Sequence, residues 1–303
     1  MNQVFCKRMQ RDQLDALRIE HPLFNATLLL QGAQLLEFSP RNNQFNNLLW
    51  LSDSAEYKRG QSVRGGIPIC WPWFGNLAKN PAALQQQVPK PTEVGAHGFA
   101  RNLAWDISLI HEDCHYVQIE LTLQASKESK SIWPFDFNLT ARFTFSQTLE
   151  VELITTNLDE QNVHISQAMH TYLPTQDIKK TYIHNAHNSR YIDALDNWQE
   201  KLQKGRIAFN QETDRLYLFS DTNNTQGHEL RVESPSQQLL INNEQSHSAV
   251  IWNPWIEKSQ RLSQFNNKDF HKMFCIETAN VVSDAKQLNS KKSCTLKLIL
   301  SKL

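Results

Sequence analysis

Two side chains of this 303-residue chain have surroundings that favour proton transfer near neutral pH. Glu277 lies within the apolar stretch KMFCIETANVV, residues 272–282. A carboxylate in such surroundings is costly to ionise, and its burial raises its pKa toward neutrality, which suits a general base. His170 lies in HISQAMHTYLP, residues 164–174, where strand alternation gives it small neighbours and leaves space in front of the imidazole. These residues predict acid–base chemistry, although a glutamate capped by water and a merely hydrogen-bonded histidine remain alternatives.

Two arginines lie next to glycines in segments that do not form regular helices. Arg64 belongs to SVRGGIPICWPWFG, residues 62–75, whose prolines lack amide protons and whose paired glycines add backbone freedom. Arg101 belongs to HGFARNLAW, residues 97–105, in which a glycine lets the backbone approach a ligand closely. Its planar guanidinium suits phosphate or carboxylate. The alternative is a surface arginine beside a hydrogen-bonded His97.

A third motif, HEDCH at residues 111–115, matches the H-E-x-x-H signature of zinc peptidases. That chemistry needs both histidines on one face of a helix. The motif lies between WDISLI and YVQIELTLQ, which both alternate like strands, so it predicts a hairpin turn and not a metal site.

Two later motifs carry polar and aromatic groups. Asp214 opens the strand candidate ETDRLY, residues 212–217, where its carboxylate can accept hydrogen bonds from hydroxyl groups. NPWIEKS, residues 253–259, predicts a tight turn that presents Trp255.

The elements that hold these groups are predicted to be β-strands. In FDFNLTARFTFS, residues 135–146, apolar and polar residues alternate, which predicts a strand with one buried face. HYVQIELTLQ, residues 115–124, repeats this pattern, and residues 26–40 predict two strands around Gly32. Further strands are predicted near the C-terminus in SAVIWNPW and CTLKLILSKL.

Helical windows are few, and the best are DQLDALRIEH, residues 12–21, and SDAKQLNSKK, residues 283–292. Many short strands without βαβ alternation predict an all-β fold, a large antiparallel β-sandwich with few short helices. No repeat or long linker divides the chain, so we expect residues 1–303 to form a single domain. The irregular loop from Leu77 to Gly95 predicts a functional or mobile segment.

Composition narrows the class of partner. Basic and acidic residues number 31 each, so nothing favours nucleic acid or an anionic membrane, and we expect a small molecule. The N-terminal segment lacks a secretory apolar core, and no run approaches the roughly 18 apolar residues of a membrane span. Five irregularly spaced cysteines predict reduced thiols in the cytoplasm, with Cys70, Cys114 and Cys275 as small buried side chains.

Six motifs, taken together and in chain order, resemble one enzyme family. They are SVRGGIPICWPWFG, HGFARNLAW, AMHTYL, ETDRLY, SAVIWNPWIEKS and MFCIETANV. In this combination the chain resembles the glucose-6-phosphate 1-epimerases, also called hexose-6-phosphate mutarotases, of the galactose-mutarotase-like superfamily. The resemblance runs from about Gly32 to the C-terminus.

The resemblance implies a β-supersandwich and an enzyme that interconverts the α and β anomers of a hexose 6-phosphate without a metal or other cofactor. In family terms His170 matches the general acid and Glu277 the general base. The protein is expected to be a cytoplasmic monomer that binds a small sugar phosphate, with neither nucleic acid nor membrane as partner.

The resemblance also implies residues that bind the substrate. Arg64 and Arg101 match arginines associated with the phosphate, and Asp214 matches an aspartate that holds sugar hydroxyls. His97 matches a second active-site histidine near the anomeric oxygen. The chain departs from many relatives at Ala96, where a polar residue is common.

Mutarotation requires removal of the proton from the C1 hydroxyl and protonation of the ring oxygen. We therefore expect Glu277 and His170 on opposite sides of the hemiacetal, while the arginines hold the phosphate at the far end of the sugar. The aromatic residues Trp71, Trp73 and Phe74 either wall the cleft or brace the loop, and bracing is favoured.

Two other functions compete with the epimerase. A non-catalytic carbohydrate-binding β-sandwich would use the same tryptophans and loops, but binding alone gives no reason for both His170 and Glu277. A glycosidase is less well supported, because that chemistry usually needs two carboxylates facing the bond and the sequence offers one convincing candidate.

Overall fold

The computed structural model describes residues 5–41, 47–219, 227–235 and 237–303, and the first four residues of the N-terminal segment lie outside these ranges. Within them β-strands predominate, as the alternating patterns predict. None of the helices in the described ranges is long and apolar enough to cross a membrane.

The strands of the described residues are numbered here in chain order. They are β1 (Cys6–Arg11), β2 (Leu14–His21), β3 (Phe24–Leu29), β4 (Leu35–Pro40), β5 (Ile69–Cys70), β6 (Asp106–Glu112), β7 (Val117–Gln124), β8 (Phe137–Phe145), β9 (Leu149–Asn157), β10 (Val163–Ile165), β11 (Gln167–Met169), β12 (Tyr172–Pro174), β13 (Tyr182–His184), β14 (Arg190–Asp193), β15 (Gln199–Leu202), β16 (Ile207–Ala208), β17 (Thr213–Leu218), β18 (Gly227–Glu233), β19 (Gln238–Glu244), β20 (Ser248–Asn253), β21 (Met273–Asn280), β22 (Lys286–Leu288) and β23 (Ser293–Lys302).

These strands pair in four antiparallel sheets across the described part of the chain. The largest has nine strands in the order β16-β13-β18-β19-β23-β9-β8-β7-β6. A sheet of eight strands runs β15-β14-β17-β20-β21-β11-β5, and β12 also pairs with β21. Strands β1 to β4 form a four-stranded sheet, and β10 pairs with β22.

The two large sheets face each other across one hydrophobic core. Phe274 and Ile276 of the eight-stranded sheet belong to the same buried cluster as Phe143, Leu153 and Leu298 of the nine-stranded sheet. Each of these side chains is at most 1% exposed. The predicted all-β antiparallel sandwich is therefore confirmed, and its core holds both sheets in fixed relation.

Helices are few and short in the described residues, as predicted. The α-helices are α1 (Ala82–Gln85), α2 (Lys127–Ile132) and α3 (Trp255–Ser259), and 3-10 turns lie at Leu77–Lys79, Ala100–Asn102, Ile178–Lys180, Asp269–His271 and Val282–Asp284. The loop from Leu77 to Gly95 thus contains one 3-10 turn and α1. NPWIEKS, predicted as a tight turn, contains the single-turn helix α3.

Both predicted helical windows are wrong. DQLDALRIEH contains β2, which pairs with β1 on one side and β3 on the other. Its apolar residues are buried on both faces of the sheet, with Ala16 in one cluster and Leu17 and Ile19 in another. SDAKQLNSKK contains a 3-10 turn followed by β22, which pairs with β10. In DQLDALRIEH, strand pairing and two-sided burial outweigh a weak helix propensity, and in SDAKQLNSKK the pairing of β22 with β10 does so.

The eight-stranded sheet has a second face, turned away from the core, that presents polar and aromatic side chains. On β21, Phe274 and Ile276 point into the core, so by alternation Cys275 and Glu277 point to the second face. Glu277 pairs across the ladder with Val250 of β20, and Asp214 of β17 pairs with Trp252. Neighbouring strands therefore deliver a carboxylate, an indole and a second carboxylate to one surface.

Candidate active site

Two adjoining cavities open on the second face of the eight-stranded sheet. The first, here called the sheet cavity, has a volume of about 290 Å³ and is lined by Asp214, Trp252 and Glu277 among others. The second, here called the arginine cavity, has a volume of about 650 Å³ and is lined by Arg101 and Tyr172 among others. Three residues border both cavities, namely Arg64, His97 and His170. All six residues predicted to form the site therefore lie around one composite space.

His170 and Glu277 lie opposite each other between the two short ladders that join β11 and β12 to β21. Met169 pairs with Thr278 and Tyr172 pairs with Cys275, so the register places His170 opposite Glu277. His170 itself leaves the ladder, and its backbone amide donates to the Pro68 carbonyl over 2.9 Å. The imidazole Nε2 lies 3.3 Å from Glu277 Oε1. The two groups thus lie side by side, which corrects the expectation that they would be on opposite sides of a substrate.

Burial shifts the ionisation of both groups toward their neutral forms. The Glu277 side chain is 1% exposed, and desolvation, reinforced by the nearby charge of Asp214, raises its pKa well above the ordinary value. Desolvation, with the positive charges of Arg101 and Arg64, lowers the pKa of His170 to about 3. Both shifts favour a neutral pair, in which the carboxyl group carries the proton and the imidazole is uncharged.

Two atoms of this pair lack hydrogen-bond partners. Glu277 Oε2 and His170 Nδ1 are buried and have no partner among the described residues. An unsatisfied buried polar atom typically costs about 1–3 kcal/mol, so natural proteins keep few of them outside functional sites. Their occurrence on both members of one pair favours a role in chemistry over a role in folding.

The imidazole of His170 is expected to stay neutral throughout the range from about pH 5 to pH 8, where unperturbed histidine changes charge. A pKa lowered to about 3 means that the proton is lost far below this range. The measurement is a pH titration of the imidazole ¹⁵N and ¹H resonances, with His170→Gln identifying the signal. A signal absent from that variant that shifts with a midpoint near the ordinary pKa of about 6.5 would contradict the prediction.

His97 is held in one tautomer by the loop that precedes it. The Gly75 amide donates to His97 Nδ1 over 3.2 Å, and the His97 amide donates to the Gly75 carbonyl over 2.9 Å. Desolvation and the charge of Arg101 lower the pKa of His97 well below the ordinary value, so the ring is neutral at pH 7. Since Nδ1 accepts, Nε2 must carry the ring proton. His97 can therefore donate a hydrogen bond to a ligand.

The position of His97 depends on the glycine that follows it. His97 and Gly98 both have positive φ, 68° and 66°. A Cβ atom at Gly98 would lie 1.9 Å from the Trp71 carbonyl oxygen, a distance that backbone atoms do not tolerate. Glycine is thus required where the HGFAR segment crosses the loop that contains Trp71.

Arg64 is oriented by two acceptors. Its Nε donates to the Ser263 carbonyl over 3.4 Å, and its Nη1 donates to the Tyr172 hydroxyl over 3.1 Å. Its backbone amide donates to Gln264 Oε1 over 3.3 Å. These contacts leave the remaining guanidinium donors available to the cavities that Arg64 borders.

Arg101 approaches the arginine cavity from the 3-10 turn after His97. Its Nη2 donates to the Ala96 carbonyl over 3.0 Å, while its buried Nε has no partner among the described residues. The side chain of residue 96 is not needed for this contact, because the backbone carbonyl makes it. Arg64 and Arg101 together give the arginine cavity a positive, donor-rich wall that suits an anion.

Asp214 lies at the other side of the sheet cavity, where a lysine partly neutralises it. Burial raises the pKa of Asp214, and the charge of Lys258 opposes this shift. Lys258 Nζ lies 3.6 Å from Asp214 Oδ2 and 3.3 Å from Glu212 Oε1. The Asp214 side chain is 26% exposed, so its oxygens remain accessible to a ligand hydroxyl.

Several cavity residues were missed by sequence reasoning. They are Asn76, Lys79, Asn80, Trp198, Trp252, Lys258 and, in the arginine cavity, Tyr172. Trp252 could have been found, since alternation in SAVIWN places it on the same face as Val250. No sequence pattern marked Lys79 or Trp198 as a cavity residue, because they come together from two loops that are distant in the chain. Lys79 Nζ lies 5.0 Å from the centroid of the Trp198 indole.

The aromatic residues of the loop at residues 71–74 do not all have the same role. Trp71 and Trp73 are 0% and 1% exposed and pack in the main core, which confirms the bracing role for these two. Phe74 lines the sheet cavity and also packs against a small buried cluster, so this residue both walls the cleft and braces the loop. Trp255, predicted to be presented by a turn, packs against Phe270.

The remaining motifs lie outside the site. HEDCH spans the end of β6 and the turn before β7, so the predicted hairpin is confirmed. Within the described ranges no group of three or more His, Cys, Asp or Glu side chains could hold a metal ion. All five cysteines are free thiols. Cys70 and Cys275 are buried as predicted, whereas Cys114 is exposed because it lies in the hairpin turn.

Comparison with known proteins identifies related sequences over nearly the whole chain. A family model described as Aldose 1-epimerase matches residues 15–301. A protein of Escherichia coli (strain K12) named "Putative glucose-6-phosphate 1-epimerase" is 35% identical over 274 residues, which cover 90% of this chain and 85% of that protein. A Salmonella typhimurium protein of the same name is 32% identical over 287 residues, which cover 94% of this chain and 90% of that protein.

Solved structures extend this likeness to the fold. The crystal structure of "a putative mutarotase" from Salmonella typhimurium superposes with a TM-score of 0.86 at 28% identity, covering 100% of this chain and 95% of that one. A galactose mutarotase-like protein from Clostridium acetobutylicum gives a TM-score of 0.73 at 13% identity, covering 99% and 98%, and is similar in fold alone.

Proposed function

Because the chain belongs to the aldose 1-epimerase family, we propose that it interconverts the α and β anomers of glucose 6-phosphate or a related hexose 6-phosphate. It is an epimerase, an enzyme of the isomerase class, and a purely carbohydrate-binding role is not favoured. The observation that carries the proposal is the buried pair of His170 and Glu277, 3.3 Å apart, beside a cavity lined by two arginines.

Anomer exchange needs one proton to leave the C1 hydroxyl and one to arrive on the ring oxygen. These two oxygens are bonded to the same carbon, so the groups that serve them must lie close together. Side chains 3.3 Å apart meet this requirement better than side chains on opposite faces of the sugar would. Each positioned proton-transfer group contributes on the order of 10²–10⁴ to such a rate.

The proton held by the pair is the one that the reaction uses. Transfer of this proton from Glu277 to His170 gives a carboxylate that accepts the C1 hydroxyl proton and an imidazolium that protonates the ring oxygen. The ring then opens, rotation about C1–C2 presents the other face of the aldehyde, and closure reverses both transfers. In this scheme Glu277 is the general base and His170 the general acid.

The other predicted residues hold the substrate. His97 donates from Nε2 to the anomeric oxygen, and Asp214 accepts hydrogen bonds from ring hydroxyls. Arg64 and Arg101 bind the phosphate in the arginine cavity, at the far end of the sugar from C1. Anchoring at that end leaves C1 free enough for both anomers to fit between the same acid and base.

Removal of either phosphate anchor tests this assignment. Arg64→Ala and Arg101→Ala are each expected to lower kcat/KM for glucose 6-phosphate by roughly 10- to 100-fold, because a hydrogen bond to a charged group contributes about 1.5–3 kcal/mol. The loss should appear mainly in KM, while turnover of free glucose changes little. Anomer exchange is measured by NMR saturation transfer or with an anomer-specific coupled dehydrogenase.

Arg190→Ala provides the matched control. Arg190 forms an exposed ion pair with Glu200 and borders neither cavity, so this variant should match the wild type on both substrates. Equal wild-type efficiency on glucose and glucose 6-phosphate would contradict the phosphate site. Absence of anomer exchange with either sugar would contradict the function itself.

The proposal also covers the setting in which the enzyme works. Residues 1–303 act as one domain, supported by a core that is shared between the large sheets. The proposed enzyme is a cytoplasmic monomer without a nucleic-acid partner. The five free thiols fit a reducing compartment, and the equal numbers of acidic and basic residues do not favour nucleic acid. The chemistry described above uses side chains of this chain and requires no cofactor.

A further inference from the structure

Tyr172 connects the two ends of the composite site. Its hydroxyl accepts a hydrogen bond from Arg64 Nη1 over 3.1 Å. Its ring stacks on the imidazole of His170, with centroids 4.8 Å apart and an interplanar angle of 17°. Tyr172 lies two positions after His170 in the motif AMHTYL, and the motif alone gives no role for it.

The ring of Tyr172 is held rigidly on all sides. It is 3% exposed, and Trp50 stacks on it at 5.8 Å while Trp252 meets it edge-on at 6.2 Å. The residue is also paired with Cys275 in the β12–β21 ladder. A group fixed in this way loses little conformational entropy when it binds a ligand.

The hydroxyl has one hydrogen-bonding capacity left. A phenol can accept and can also donate one hydrogen bond. Tyr172 Oη accepts from Arg64, but its own proton has no acceptor among the described residues. The residue lines the arginine cavity together with Arg64 and Arg101, so a ligand in that cavity could supply the acceptor.

The proton is present at physiological pH. Burial raises the pKa of Tyr172 to about 12, and the opposing charge of Arg64 is the smaller effect. A phenolate could only accept hydrogen bonds. A neutral phenol can also donate one, and because the Tyr172 oxygen already accepts from Arg64, its proton points to another acceptor.

We propose that Tyr172 is a specificity-determining residue whose hydroxyl donates to a phosphoryl oxygen of the substrate while it accepts from Arg64. This inference rests on the proposed function, since it names a third ligand of the phosphate. The guanidinium, the phenol and the phosphate form one hydrogen-bonded chain, and the phosphate gains a neutral donor whose position is set by packing. The stacked ring separately supports His170, and this support needs no hydroxyl.

Tyr172→Phe separates these two contributions, because it removes the hydroxyl and retains the ring. We expect KM for glucose 6-phosphate to rise about tenfold with kcat within about twofold of the wild type, as for loss of one charge-assisted hydrogen bond of about 1.4 kcal/mol. Turnover of free glucose should be unchanged. Arg64→Ala combined with Tyr172→Phe should cost less than the product of the single effects, because the two groups share one hydrogen bond.

The matched control is Tyr217→Phe. Tyr217 is a fully buried tyrosine of the same sheet whose hydroxyl donates to Gln203 Oε1 over 2.7 Å in a region that borders neither cavity. This variant should leave KM for glucose 6-phosphate unchanged, whatever its effect on the melting temperature.

Three outcomes would overturn the inference. An unchanged KM for glucose 6-phosphate in Tyr172→Phe would show that the hydroxyl does not bind phosphate. Equal losses on glucose and glucose 6-phosphate would show that the hydroxyl does not act through the phosphate. A wild type with no preference for the phosphorylated sugar would overturn the proposed function as well, whereas a preference as large in Tyr172→Phe as in the wild type would overturn the inference on Tyr172 alone.

Discussion

Glu277→Gln is expected to lower kcat for anomer exchange of glucose 6-phosphate by at least about 10³-fold, with KM changed by less than about threefold. Glutamine has nearly the shape of glutamate, but its amide neither takes up nor releases a proton near neutral pH. The variant therefore keeps the cavity and removes the transfer to and from the C1 hydroxyl. The measurement is NMR saturation transfer between the anomers at substrate concentrations below and above KM.

We expect the Glu277→Gln variant to fold. The way in which the raised pKa of Glu277 makes stability depend on pH supports that expectation. The pKa of Glu277 is raised in the folded protein, so the folded state holds its proton more tightly than the unfolded chain does. Stability contributed by this group is therefore lost as pH rises above the unfolded pKa. A neutral glutamine is free of this loss, so the melting temperature of Glu277→Gln relative to the wild type should improve with increasing pH.

A second Glu–His pair in the chain provides the control for this experiment. Glu233 Oε2 lies 2.8 Å from His184 Nε2, but both side chains are substantially exposed, 46% and 33%, and neither borders the sheet cavity or the arginine cavity. Glu233→Gln should leave kcat unchanged. If Glu277→Gln kept more than about a tenth of the wild-type kcat, Glu277 would not be the general base.

His170→Gln is expected to lower kcat by about 10²–10⁴-fold, again with a small change in KM. The amide of glutamine can reach the position of the imidazole Nε2 and form a hydrogen bond to the ring oxygen, but it cannot supply a proton to that oxygen and recover it. The same saturation-transfer measurement applies, and circular dichroism checks that the sheet structure is retained.

His184→Gln removes the imidazole of the surface pair and should have no effect on turnover. A double variant with both Glu277→Gln and His170→Gln should be little slower than the slower single variant, because the two residues pass one proton between them and act as a unit. Multiplicative losses in the double variant would mean that the groups act in separate steps, and a His170→Gln enzyme with near-normal kcat would exclude His170 as the general acid.

Alternation along the chain was sufficient to predict strands of the nine-stranded sheet. In β8 the residues predicted to face inward, among them Leu139 and Phe143, are buried, and the same holds for Val117 and Ile119 of β7. A strand period of two residues is a local property, so the sequence pattern alone carries it. The two windows predicted as helices failed for different reasons. Strand β2 is buried on both faces, so it lacks the alternation that marks a half-exposed strand, and β22 has three residues, too few to show a period.

The chemical character of the site could also be predicted from short stretches of sequence. An acidic residue inside KMFCIETANVV predicts a carboxylate of raised pKa, and the direction of the shift for Glu277 agrees with that prediction. Its cause, burial on the second face of a sheet, could be anticipated because apolar neighbours on both sides in sequence also surround the residue in space. Arg64 and His170 were likewise found from glycines, prolines and small residues beside them.

By itself the sequence determined the class of fold and the direction in which burial shifts the pKa of Glu277, because each depends on neighbours within a few positions. The six predicted site residues followed from these local patterns together with the resemblance of the motifs to one family. Only the tertiary structure decided that His170 lies beside Glu277, that Tyr172 joins Arg64 to His170, and that Lys258 partly neutralises Asp214. The physical reason is that these contacts depend on the register of strands and on the meeting of loops that are far apart in the chain. Register is set by the packing of the whole sheet against its core, which no local pattern encodes.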